Sequence, residues 1–537
     1  MTSRRPLALG WLAVGFAASL LLGGQVGLSS AEAATLAAGR EAAGLLTHAP
    51  LEPITAVRGL TELSTRRRGP ILAEAFHGFA AEGGERLGLG ALRGARLGVA
   101  AVAALLAALV ALVAFDLGGV PAALLAPALL FLSPRGLALA TGISSDLPGA
   151  LFWLAAVAAF TRSLEGTTRL RRTRAGTWAG VMTGLAAATR PDLWTLVPIF
   201  ACHWLLGRLH LAWLVRRAPR PLEEAPTEPP ADWATRLRRL PTGLAAAATL
   251  GPVMAAVAAP WLWQDPLGRA WRALLEAHGV GQPAPVNPLL LALAALPTPV
   301  VILLALGLAH SALRLAQGLR RGDDRRARIG SLLLLAAGVP LALAALGLAP
   351  RRPGLGPVLQ ALPVLAVLAA RSVTAAASLA WPSRARALAT ALAVLLLAPG
   401  LRSAVVGFPL GTAAYGELGE GAPGAAARGW PRQEGGEAAI ALLPALDLHA
   451  VPGARVAWIG VAAGAVERYR KAGLVRADLV DAPDAVTADL AVVALQAGPR
   501  DEAFAAWQAL GTSHAEAGVY LDEVPLAQLF ARAGAWR

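Results

Sequence analysis

The sequence predicts a polytopic α-helical membrane protein that ends in a small α/β domain. Of its 537 residues, 56% are hydrophobic and only 15% are charged, and eleven apolar stretches recur along the chain. Arginines concentrate in alternate gaps between those stretches. A water-soluble chain of this length needs far more polar surface, and the arginine pattern follows the rule that cytoplasmic loops of membrane proteins are positively charged.

The first apolar stretch runs from about Pro6 to Leu28. About 23 residues are enough to cross ~30 Å of hydrocarbon as a helix. A cleaved signal peptide is the alternative, because Ser-Ala-Glu-Ala at 30–33 resembles a small-residue cleavage site. The stretch is long for a signal core, so we favour a retained helix. We expect further spans near 91–114, 117–133, 147–162, 176–190, 192–213, 243–263, 287–312, 329–349, 357–380 and 386–404.

The uneven distribution of arginine predicts the orientation of the chain. With the N-terminus inside, the exported parts are the first loop at 29–90, a loop at 264–286 and everything after about 405. We therefore expect a multi-pass protein of the bacterial inner (cytoplasmic) membrane whose C-terminus is outside. The arginine-bearing cytoplasmic gaps are then 162–175, 214–242, 313–328 and 381–385.

The chain divides into a membrane domain at 1–404 and an exported domain at 405–537. The second part has a different sequence pattern, because short β-like runs alternate there with helical stretches. A Gly/Ala-rich linker near 416–437 is expected to lead into it. The strand-like runs are Arg455–Gly460 and Asp489–Leu495, and the helical stretches lie around 435–446, 464–473 and 501–510.

Several function classes lose support from the sequence. The net charge of +14 comes from arginines in short loops, where membrane topology explains them, so nucleic acid is not an expected partner. Cys202 is the single cysteine, so no intrachain disulfide forms. The chain has no P-loop, no H-E-x-x-H motif and no histidine spacing typical of a zinc site.

Two carboxylates on the expected exported side are candidate catalytic groups. Asp146 stands at the exported edge of a span, where it suits a metal ion, a sugar or the N-cap of a helix. Glu32 follows the first span directly, where it suits a general base or one face of a solvated helix over 32–46. No motif indicates a cofactor, and a divalent metal, if one is used, is expected at Asp146.

Three arginines on the expected exported side are candidate phosphate-binding groups. Arg190 lies where a span reaches that face, and Arg351 and Arg352 occupy a short turn between two spans. Arginine at such a position departs from the topological rule, and its planar fork donates paired hydrogen bonds to phosphate.

Four stretches together resemble the GT-C superfamily of polytopic glycosyltransferases, which contains protein mannosyltransferases and lipid A aminoarabinose transferases. The tail from Val519 to Arg532 also looks like the end of exported domains in these enzymes, and the resemblance covers most of the chain. The four stretches are Gly94–Leu97 with Ala122–Pro134, Ser145–Phe152, Gly184–Asp192 and Arg351–Ala366.

The resemblance implies a sugar transfer from a polyprenyl-phosphate donor on the exported face. Glu32 and Asp146 would match the family's acidic positions, and Arg190, Arg351 and Arg352 would match its basic ones. The lipid bilayer and the donor are the expected partners, and the acceptor is a glycan, lipid or protein of the cell envelope. The first loop departs from the family pattern, since Glu32 stands alone where an acidic pair is usual. A catalytically inactive partner of polysaccharide assembly and a secondary transporter are the alternatives.

Overall fold

The computed structural model describes residues 4–67, 70–217, 240–263, 265–277, 286–321, 324–349, 355–496 and 501–537. Its strands are β1 (Arg455–Ile459), β2 (Val480–Ala482), β3 (Leu490–Ala494), β4 (Ala517–Leu521) and β5 (Val524–Ala531). Its α-helices are α1 (Arg4–Gly23), α2 (Ser30–His48), α3 (Pro53–Arg67), α4 (Leu72–Arg86), α5 (Ala91–Phe131), α6 (Pro134–Thr141), α7 (Asp146–Glu165), α8 (Arg169–Thr189), α9 (Leu196–Arg217), α10 (Thr242–Ala258), α11 (Pro266–Ala277), α12 (Pro288–Ala294), α13 (Thr298–Arg321), α14 (Asp324–Ala345), α15 (Leu362–Ala380), α16 (Ala385–Gly407), α17 (Gly421–Ala427), α18 (Leu443–His449), α19 (Ala463–Lys471) and α20 (Asp501–Leu510).

The protein has the helical architecture of a multi-pass membrane protein. Within the described residues, seven helices are long and apolar enough to cross a membrane, namely α1, α5, α7, α13, α14, α15 and α16. Helix α10 is apolar but shorter. The eleven stretches predicted to span the membrane are largely helical, and in the described residues seven helices meet both criteria. An apolar chain in lipid must satisfy its backbone hydrogen bonds internally, which favours helices.

Two of the predicted spans belong to one long helical element. The stretches at 91–114 and 117–133 both lie in α5, which is interrupted at Gly119. Gly119 has a φ of 73°, which lies in the left-handed region that a side chain disfavours. The predicted span at 287–312 is likewise divided, into α12 and α13.

The first loop folds into three helices, α2 to α4. The helix predicted from Glu32 onward is present as α2. Helices α2 and α4 approach closely at Gly39 and Gly78, since a Cβ at Gly39 would lie 2.2 Å from the carbonyl oxygen of Glu74. Glycine on both helices allows this backbone contact and fixes α4 against the start of the loop.

The C-terminal part forms a five-stranded mixed sheet with the order β2-β1-β3-β5-β4. Strands β2, β1 and β3 are parallel, and β5 runs antiparallel to β3 and β4. The two strands predicted from the sequence are β1 and β3, and the three predicted helical stretches are also found. Every residue of β3 is buried, as expected for a central strand covered on both faces.

The sheet domain packs directly on the helical part of the chain. The backbone N–H of Leu28 donates to the Tyr469 hydroxyl on α19 at 2.6 Å, and the N–H of Ser30 donates to the Gly435 carbonyl at 3.0 Å. A Cβ at Gly27 would lie 2.0 Å from the carbonyl oxygen of Glu437. Residues 27–30 and 435–437 therefore form a close backbone contact, which we call the junction.

We expect Gly39→Ala to lower the melting temperature of the purified protein, because the added methyl group would force α2 away from α4. Overpacking of this kind costs about 1–3 kcal/mol. Gly44→Ala is the matched control on the same helix. Nothing lies within 4 Å of a Cβ there, so this substitution should leave stability unchanged or raise it slightly. Equal melting temperatures for the two variants would contradict the close approach.

Candidate active site

A cavity of about 240 Å³ lies at the junction. Its walls come from the segment that begins α2, from α6 and the turn into α7, and from residues around 412 and 434–437. Ligand sites commonly measure ~300–1,000 Å³, so this cavity suits a small polar group rather than a long chain. The polar side chains that line it belong to Ser29, Glu32, Thr35, Arg135, Ser144, Ser145, Asp146, Thr412, Glu434 and Glu437.

Glu32 is held at the cavity wall by several hydrogen bonds. With Ser29 it forms a capping box, in which the Ser29 hydroxyl accepts the Glu32 N–H at 3.2 Å and Glu32 Oε2 accepts the Ser29 N–H at 2.8 Å. Glu32 Oε1 accepts the Ile143 N–H at 2.6 Å and an N–H of Arg96 at 3.0 Å. Ser29 and Glu32 therefore both start α2 and hold the Glu32 carboxylate in place.

Arg96 is the cationic partner of Glu32, and it was not among the site residues predicted from the sequence. It is 3% exposed and also donates to the carbonyl oxygens of Thr141, Val26 and Gly27, the last at 3.2 Å. Arg96 lies at the expected exported end of a predicted span. That is the position by which Arg190 was chosen, so the same criterion would have found it.

Arg190 lies behind Asp146 and has no N–H left for a ligand. Its guanidinium binds Asp192 at 2.7 and 3.1 Å, Asp146 at 3.0 Å and the Gly356 carbonyl at 3.3 and 3.4 Å. These five bonds use all five donors of an arginine, and the residue is 1% exposed. Arg190 thus positions Asp146 in this structure, and its phosphate-binding role stays a prediction.

Asp146 and Glu32 line the same cavity, as required if they are to share a substrate. The N-cap alternative for Asp146 is wrong, because Ser145 occupies the cap position and Asp146 is the first residue of α7. A carboxylate in the first turn still suits the helix dipole. Arg351 and Arg352 lie outside the described residues.

Arg135 is the basic residue among the described side chains that line the cavity. It belongs to α6, which begins with a Ser133 cap and Pro134 in the first turn. Its Nε donates to the Ala414 carbonyl at 3.0 Å, Nη1 lies 3.4 Å from Glu434, and the guanidinium lies 4.6 Å from the centre of the Tyr415 ring. Like Arg96, it occupies an exported position in the predicted topology.

Glu434 and Glu437 complete the cavity from the C-terminal sheet domain. Burial raises the pKa of Glu434 to about 8, an effect opposed by Arg135 and reinforced by Glu437, Asp146 and Glu32. The Glu434 side chain retains 30% exposure and lines the cavity. Burial also raises the pKa of Glu437. No sequence motif points to either residue, because both lie in the segment predicted to be a linker.

The cavity does not present a recognisable metal centre. Across the described ranges, no group of three or more His, Cys, Asp or Glu side chains is arranged to hold a metal ion. A metal ligand role for Asp146 stays a prediction.

Comparisons with known proteins give structural similarities only. No family model and no curated protein matches the sequence. The crystal structure of ArnT from Cupriavidus metallidurans bound to undecaprenyl phosphate is 16% identical over 97% of each chain, with a TM-score of 0.46. The archaeal oligosaccharyltransferase AglB from Archaeoglobus fulgidus, in complex with an inhibitory peptide and a dolichol-phosphate, is 12% identical over 88% of this chain and 60% of that one, with a TM-score of 0.44. Similarities at this level assign no activity to the chain.

We expect Arg190→Met to destabilise the protein strongly, because it removes the counter-charge that the buried Asp192 shares with the partly buried Asp146. Breaking a buried pair costs about 3–5 kcal/mol. Arg40→Met removes an exposed ion pair with Glu85, whose atoms lie 3.0 Å apart, and such pairs contribute about 0–1 kcal/mol. Thermal unfolding in detergent measures both variants. A loss no larger for Arg190→Met than for Arg40→Met would contradict this account of the site.

The raised pKa of Glu434 predicts a pH-dependent stability. An ordinary glutamate titrates near 4.5, so between that pH and about 8 the folded protein holds a proton that the unfolded chain releases. This contribution to stability is complete below about pH 4.5 and is lost as the pH rises through about 8. Between pH 4.5 and about 8, the melting temperature of the wild type should therefore change with rising pH in the destabilising direction relative to that of Glu434→Gln. Glu467→Gln, an exposed control, should keep the wild-type slope, and an unaltered slope in Glu434→Gln would refute the assignment.

Proposed function

We propose that this protein is a membrane glycosyltransferase that moves a sugar from a polyprenyl-phosphate donor to an acceptor of the cell envelope, on the exported face. The observation that carries the proposal is the cavity at the junction. In a chain that is 56% hydrophobic, it collects four carboxyl groups and an arginine within about 240 Å³. Sugar transfer from a phosphate needs groups of both signs, because an acceptor loses a proton while a phosphate gains charge.

Arg135 supports binding of the donor phosphate. It is the basic side chain among the described cavity residues, and its contact with Glu434 is long, at 3.4 Å. A departing phosphate would compete for this guanidinium, whose planar fork matches phosphate oxygens. Arg190 lacks that freedom, since its donors already hold Asp146 and Asp192.

Asp146 and Glu32 support binding of the sugar. Each carboxylate is paired with a buried arginine, and both line the cavity. Carboxylate oxygens accept hydrogen bonds from sugar hydroxyl groups. We therefore assign these two residues to orienting the transferred sugar, with the polyprenyl chain remaining in the bilayer beside the helices.

We expect Asp146→Asn to lower sugar transfer by roughly 100-fold or more, because the amide replaces a charged acceptor in a site built for positioning. Purified protein would be incubated with radiolabelled polyprenyl-phosphate sugars and a membrane extract, and label transferred from the lipid would be counted. Asp116→Asn is the control, since Asp116 pairs with Arg4 and is not among the cavity residues. Full transfer by Asp146→Asn would rule out the site, and absence of transfer from any donor by the wild type would rule out the function.

A further inference from the structure

One oxygen of Glu437 is buried without a hydrogen-bond donor among the described residues. Glu437 is 4% exposed and lines the cavity. Its Oε1 accepts the Thr412 hydroxyl at 2.6 Å and the Glu434 N–H at 2.8 Å, whereas Oε2 has no donor. A buried acceptor left in this state is costly, and because Glu437 lines the cavity, a ligand bound there is a candidate donor.

Glu437 is also held firmly in place. Its carbonyl oxygen meets the backbone at Gly27, and the neighbouring Gly435 carbonyl accepts the Ser30 N–H at 3.0 Å. Residues 27–30 lead directly into Glu32, so the contact at the junction also fixes the position of the Glu437 carboxyl group relative to that of Glu32. A reacting group held by rigid backbone in this way is positioned before any substrate arrives.

The other carboxyl groups of the cavity already have cationic partners. Glu32 pairs with Arg96, Asp146 with Arg190 and Glu434 with Arg135. No arginine or lysine of the described chain forms an ion pair with Glu437. Burial raises the pKa of Glu437, Glu32 adds to this, and the hydrogen bonds from Glu434 and Thr412 oppose it. A carboxylate whose pKa is raised is a stronger base than an ordinary one.

We propose that Glu437 is the general base of the sugar transfer and that the C-terminal sheet domain thereby binds a hydroxyl-bearing acceptor. This inference rests on the proposed function. The acceptor oxygen attacks the anomeric carbon, and a new carbon–oxygen bond forms while the bond from that carbon to the phosphate oxygen breaks. The bonding electron pair leaves with polyprenyl phosphate, beside Arg135. The hydroxyl proton passes to Glu437 Oε2 and is afterwards released to water.

The test compares Glu437→Gln with the wild type in two measurements. Transfer from radiolabelled polyprenyl-phosphate sugar to a membrane extract should fall ~100-fold or more, the usual contribution of a general base. Binding of radiolabelled polyprenyl phosphate itself should change by less than about twofold, because Glu437 acts on the acceptor and not on the donor. Glu467→Gln is the matched control in the same domain, since Glu467 is exposed and pairs with Lys471, and it should transfer normally.

Melting temperatures show whether a loss reflects chemistry or misfolding. Glutamine keeps the shape of Glu437 and removes a buried carboxyl group, so Glu437→Gln should unfold at or above the wild-type temperature. Glu437→Asp keeps the carboxylate but withdraws it by one methylene, and it should fold and transfer slowly. Wild-type transfer by either variant overturns the assignment of the base alone. A wild-type protein that transfers no sugar from any donor overturns the proposed function, and this inference with it.

Discussion

The buried ion pair between Glu32 and Arg96 joins segments that are far apart in the chain. Glu32 begins α2 through its capping box and accepts the Ile143 N–H that precedes α7, while Arg96 of α5 binds carbonyl oxygens at the end of the first span. Since both partners are buried, neither can lose the other without leaving an uncompensated charge. This ion pair therefore helps to place the helical walls of the cavity, together with the backbone hydrogen bonds of Glu32.

Charge is divided between the two parts of the molecule. The helical part contributes carboxylates that are paired with buried arginines, as at Asp146 with Arg190. The C-terminal sheet domain contributes Glu434 and Glu437, whose burial favours the neutral form. Fixed anions suit binding, whereas a carboxyl group that changes its protonation suits proton transfer. The junction brings both kinds of group into one cavity.

The helices and the strands β1 and β3 were predictable, because each depends on composition within a short window. The ion pairs were not, since Glu32 and Arg96 lie 64 positions apart and sequence patterns contain no such distances. Arg96 and Arg135 could have been predicted by the criterion that identifies Arg190, because all three arginines occupy exported positions in the predicted topology. Glu434 and Glu437 could not be predicted as site residues, since the glycine and alanine around them are typical of a linker.

The backbone contact at the junction limits how this architecture can be recombined. Gly27 faces main-chain atoms of Glu437, and Gly435 faces the backbone nitrogen and the short side chain of Ser30, so neither position has room for a larger residue. The C-terminal sheet domain is consequently not an interchangeable module. A chimera that exchanges this domain with that of another protein must carry the matching residues 27–32 with it, so the two segments have to be inherited as one unit although about 400 residues separate them.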